Sequence, residues 1–122
     1  MEIKESKIKQ TLTELRKLAD AIRKHIKRAI PQAQLLQKNI KDLDPRLVLE
    51  TASDLHKKLN EHAKKLNEYA IKLERFVKGL PKTVSQSMRA DLCEIKTLHD
   101  ELWEEVDKTH REIAKLMSLA NA

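Results

Sequence analysis

The chain has 122 residues, a formal net charge of +6, 36% charged residues, 2% aromatic residues and a single glycine. This length supports one domain, residues 1–122, with a modest core. The scarcity of aromatic and turn residues excludes a sheet-rich fold, and no apolar run approaches the length of a membrane span.

The first segment carries apolar residues at Ile8, Leu12, Leu15, Ala19, Ile22, Ile26 and Ala29, and the register continues through Ala33, Leu36, Ile40 and Leu43. Alternating intervals of four and three place this series on one side of an α-helix, so helix one is expected over residues 2–43. Pro31 lies inside it. A proline removes one backbone hydrogen bond and presses on the preceding turn. Either one long helix kinks there, or a separate helix begins with Pro31 in its first turn. The unbroken apolar register favours the kink.

Asp44-Pro45 is the first break. Aspartate suits an N-cap and proline the first helical position, so helix two is expected over residues 45–78. Its inward series is Val48, Ala52, Leu55, Leu59, His62, Leu66, Tyr69, Leu73 and Phe76. Lys57–Ala63 and Lys64–Ala70 are nearly the same heptad, with Ile71–Val77 a looser copy. Gly79 and Pro81 should end the helix, the glycine by a left-handed C′ conformation and the proline by blocking further turns. Thr83-Val84-Ser85-Gln86 fits a capping box, which starts helix three at residue 83 and carries it to 120. Its inward series runs from Val84 and Met88 through Leu92, Ile95, Leu98, Leu102, Val106, Ile113, Leu116 and Ala120, with Thr109 as the weak step. Short connections make neighbouring helices antiparallel. The predicted fold is all-α: an elongated up-down-up three-helix bundle with coiled-coil-like heptad packing and a first helix kinked at Pro31.

Charge is unevenly spread. Residues 1–44 hold 11 Lys/Arg against 6 Asp/Glu, whereas residues 82–122 hold 6 against 8. Lys9, Arg16 and Arg23 recur every seven residues, flanked by Lys17, Lys24, Lys27 and Arg28. Such a strip suits a phosphate backbone, with salt-sensitive binding that does not read sequence. The competing reading is internal. Asp100, Glu101, Glu104, Glu105, Asp107 and Glu112 on helix three fall beside roughly residues 19–31 when helices one and three are aligned at their starts.

Site chemistry is sparse. Cys93 has no histidine within a helical turn, and the lone cysteine fits a reducing, cytoplasmic compartment. No apolar h-region follows Met1, so no secretory signal is expected. Among five histidines, Asp107 and His110 offer one carboxylate–histidine pair at a spacing used by bundle metal sites, without a second copy. His62 reads as a bridged or capped core residue. No catalytic residue, metal site or cofactor is assigned, and the chain is not expected to be an enzyme.

Leu18, Ile30, Leu35, Leu47, Leu49, Ile71, Trp103 and Leu119 stand off the main seams. Those left outside the bundle would dock another chain, with Trp103, Leu18 and Ile71 the foremost candidates. The expected function is therefore a non-enzymatic interaction protein: a small helical subunit, adaptor or inhibitor that binds another protein or its own copy. The alternative is a nucleic-acid accessory that uses the basic strip, such as a helical subunit of a nucleoprotein complex.

Overall fold

A computed structural model describes residues 5–80 and 83–121. Three long helices account for nearly all of them: α1 (Glu5–Lys38), α2 (Pro45–Lys78) and α3 (Gln86–Ala120). No strand occurs among the described residues. The proposed start of helix one at residue 2 and the stop at Pro81 lie outside this range.

Helix α1 passes through Pro31 without interruption, so no separate helix begins there. Pro31 and Lys27 are both exposed. The carbonyl of Lys27, which loses its i+4 donor to the proline, thus sits on a face that water can reach. The helix stops at Lys38, earlier than the apolar register implied. The side-chain amide of Asn39 donates to the Leu35 carbonyl at 3.1 Å. The chain then tightens into a 3-10 turn, Ile40–Asp42, and becomes extended at Leu43. The Asn39 backbone N–H donates to the same carbonyl at 3.2 Å, and Ile40 and Leu43, beyond the helix end, still reach the core.

The other helix ends follow local chemistry. Asp44 is extended, and its carboxylate accepts the Arg46 N–H at 3.0 Å ahead of Pro45. Ser85, not Thr83, caps α3: its hydroxyl accepts the Met88 N–H at 3.1 Å, and the helix starts at Gln86. Met88 at that position is not the Gln or Glu that a capping box needs, so the cap is one-sided. Gly79 is not left-handed. Its φ is −88°, and its N–H stays on the Arg75 carbonyl in an ordinary last turn.

Side-chain pairings give the topology. Glu14 meets Lys72 and His25 meets Leu55, so α1 and α2 run antiparallel. Arg16 meets Glu94 and Gln37 meets Glu112, so α1 and α3 run parallel. The bundle is up-down-up, and α1 packs more extensively on α3 than on α2. Ile8, Leu15 and Ile22 on α1, Leu59 and Leu66 on α2, and Ile95, Leu102, Ile113 and Leu116 on α3 have no exposed surface. Each such side chain contributes about 1.5–3 kcal/mol by leaving water. Two threonines share this core. The hydroxyls of Thr11 and Thr109 donate to the carbonyls of Lys7 and Glu105 one turn back, which satisfies them without a second helix.

Candidate interaction surfaces

The basic strip divides along the two edges of α1. On the α3 side, the Arg16 guanidinium donates to Glu94 at 2.6 Å. Arg23 donates to Glu105 at 3.2 Å and lies 3.8 Å from Glu101. Further along this edge, the Gln37 amide donates to both the carbonyl and the carboxylate of Glu112, each at 3.2 Å. The hydrogen bond to Glu94 and the negative charge of that carboxylate raise the Arg16 pKa above its already high ordinary value, so the guanidinium charge is permanent. Two of the seven candidate anion-binding residues, Arg16 and Arg23, are therefore partnered within the fold.

The other five, Lys9, Lys17, Lys24, Lys27 and Arg28, are exposed and form no ion pair among the described residues. Spacings of four, three and four put Lys17, Ala21, Lys24 and Arg28 in one row on α1. Part of that row borders an open cleft of about 250 Å³ where α1 crosses α2. Ala21, Lys24, His25 and Arg28 supply one wall, and Lys58 and His62 the other.

The histidine pair sits in this seam with ring centroids 5.7 Å apart. His25 is buried, and its Nε2 lies 3.4 Å from the Leu55 carbonyl, so the proton of the neutral ring resides on Nε2. His62 is half-buried. Both its ring nitrogens are shielded from solvent and have no hydrogen-bond partner, so the cap expected for this residue is absent. Burial holds the pKa of each ring below the usual imidazole value. Positive charge nearby adds to this: Lys58 and Arg28 for His25, and, for His62, repulsion from His25 when that ring is protonated, with Lys65 and Lys58. A second pair, His56 and His110, meets edge to face at 5.1 Å between α2 and α3. Burial and then His56 lower the His110 pKa. No group of three or more potential metal ligands comes together among the described residues.

The docking candidates separate clearly. Leu18 is 9% exposed and belongs to the core. The correction has a simple cause: α1 faces two neighbours, so its buried stripe is wider than one heptad seam. Trp103 remains 46% exposed, stacked on His99 with centroids 6.3 Å apart and planes within 9°. Ile71 is also exposed. Leu35, Leu47 and Leu119 are exposed too, and topology gathers them. The end of α1, the start of α2 and the end of α3 all lie at one pole of the bundle. Cys93 is exposed as well.

No protein-family model, curated protein or solved structure matches the chain. Among the described residues, no helix is long and apolar enough to cross a membrane.

Proposed function

We propose that the protein is a non-enzymatic interaction module, a small helical subunit, adaptor or inhibitor, that docks another protein or its own copy. The observation that carries this reading is that exposed Leu35, Leu47 and Leu119 all lie toward the same end of the bundle. Three large aliphatic side chains from three helices, left in water in a chain otherwise rich in charge, suit a contact that covers them. Trp103 and Ile71 extend the exposed apolar surface along the flanks, and tryptophan is a frequent interface anchor. Photo-crosslinkers placed at Leu47 and Trp103 test this in cells, with sedimentation of the purified chain in parallel. A partner or a self-adduct that is lost in Leu35→Glu, Leu47→Glu and Leu119→Glu combined supports the reading. A strictly monomeric chain without specific adducts removes it.

A second reading, a nucleic-acid accessory that contacts backbone alone, is favoured by the five unpartnered cations of α1. Their number has shrunk from seven, because Arg16 and Arg23 face carboxylates. Anisotropy titrations with DNA and RNA at low salt decide it: absence of binding ends the proposal, and binding should weaken steeply as salt rises. Three finer readings accompany these. Pro31 bends α1, the heptad seams interlock as in a coiled coil, and the lone cysteine places the chain in the cytoplasm. A straighter α1 in a Pro31→Ala variant would support the first of them.

A further inference from the structure

The α1–α2 cleft is chemically one-sided. Lys24 and Arg28 border it from α1 and Lys58 from α2, and no carboxylate lines it. None of these three cations has an ion-pair partner among the described residues. Glu61 also acts on His62, but its influence is weaker than those of His25, Lys65 and Lys58. Like charges gathered around a recess with low-dielectric walls repel one another and focus a positive potential into it.

The interior of the cleft adds a hydrogen-bonding vacancy. Either neutral tautomer of His62 carries one ring N–H, and that donor is out of water with no acceptor in the protein. Buried donors are ordinarily partnered, by protein or by something bound. His25 does not serve: its ring centroid lies 5.7 Å from that of His62, and no hydrogen bond joins the two rings. A ligand must then bring acceptor atoms and negative charge together. A divalent cation does neither, and a cleft of about 250 Å³ suits a small group rather than an extended chain.

We infer that the cleft between α1 and α2 binds a small oxyanion of the phosphate class, held by Lys24, Arg28 and Lys58, with the His62 ring turning its N–H onto a ligand oxygen. This site is separate from the apolar pole and does not depend on it. It shares Lys24 and Arg28 with the nucleic-acid reading, and the two are told apart by ligand size. A bound anion offsets the nearby positive charge that, after burial, lowers the pKa of His25 and His62, so occupancy raises both midpoints.

The test is a titration of the full chain with inorganic phosphate and pyrophosphate at low ionic strength, followed through the histidine ring resonances. Saturable movement of His25 and His62, with His99 on α3 unmoved, is the expected result, together with upward shifts of the two midpoints. Lys58→Glu with Arg28→Glu should weaken binding at least about tenfold, since two attractive charges become repulsive. Lys108→Glu with Lys115→Glu makes the same change in net charge on α3 and should leave affinity within about twofold. His62→Phe keeps the ring volume, loses the donor and should weaken binding several-fold. Circular dichroism confirms that each variant is folded, and Lys58→Gln with Arg28→Gln replaces the charge-reversed pair if that pair is not. The inference is overturned if neither anion moves His25 and His62, or if the remote control weakens binding as much as the cleft variants. It also fails if only an oligonucleotide moves them, which would assign the cations to a polymer backbone.

Discussion

The two edges of α1 carry similar sequence and end in opposite circumstances. Toward α3, Arg16, Arg23 and Gln37 each meet a glutamate. Toward α2, Lys24 and Arg28 meet Lys58, and a buried histidine meets one whose nitrogens bond to nothing. The first edge is electrostatically closed, and the second, beyond the Glu14–Lys72 pair, is open at the cleft. A count of basic residues says nothing of this, because a charge becomes available to a partner only when its own fold has no use for it. Neither edge supplies much stability. Exposed pairs such as Arg23–Glu105 contribute about 0–1 kcal/mol, so their main effect is to select which helix lies beside which.

Substitutions can break that comparison, beginning with the core beneath both edges. Leu66→Ala should cost about 2–5 kcal/mol in urea denaturation, since the side chain is fully buried. This loss should exceed any produced by the surface charges. At the open edge, His62→Leu removes the unpartnered donor and should raise stability by up to about 1–3 kcal/mol in the same assay.

The two histidine pairs, one at the open edge and one between α2 and α3, should also make stability depend on pH. His25, His62 and His110 have lowered pKa values in the folded chain. Below the ordinary value of 6.5 the unfolded chain therefore binds more protons than the folded one. Stability should be fully present well above that pH and decline as the pH falls through it toward the folded pKa values. Denaturation midpoints measured between about pH 8 and pH 5 should show the fall, and His62→Leu should reduce it. A flat profile would mean that the seam tolerates a charged imidazole.

Smaller effects sharpen the remaining contrast. Ser85→Ala, which removes the only side-chain cap of α3, should cost about 1 kcal/mol without changing either edge. A double-mutant cycle on Arg23 and Glu105 should return a coupling below about 1 kcal/mol that disappears at high salt. A larger coupling would make the closed edge a source of stability as well as of register.

Much of the helical framework can be read from the chain because it depends on spacing. Leu59, Leu66, Ile95 and Leu102 repeat at helical intervals and are wholly buried. The ends were harder, because they turn on one hydrogen bond apiece. The Asn39 amide adds a second bond to the Leu35 carbonyl where the helix ends, ahead of the end of the apolar register, and the hydroxyl of Ser85 reaches Met88 where Thr83 is the expected cap. Leu18 was misplaced because a single seam understates the width of a stripe shared between two neighbours. The cleft left a trace: Lys24, His25 and Arg28 lie within two turns, and Lys58 and His62 are four apart. What spacing could not supply was the α1–α2 register, which pairs Glu14 with Lys72 near one end and sets Lys24 and Arg28 opposite Lys58 at the cleft. The carboxylates of α3 were legible as partners because opposite signs suggest their own alignment.

The parallel course of α1 and α3 also fixes where the chain enters and leaves the structure. Glu5 and Asn121 stand at opposite ends of a rod whose helices of 34 and 35 residues extend roughly 50 Å. Anything fused before the first helix and anything fused after the last would be held that far apart, so the bundle acts as a spacer as well as a surface. Joining the two termini would require a linker of at least about 15 extended residues to run the length of the rod.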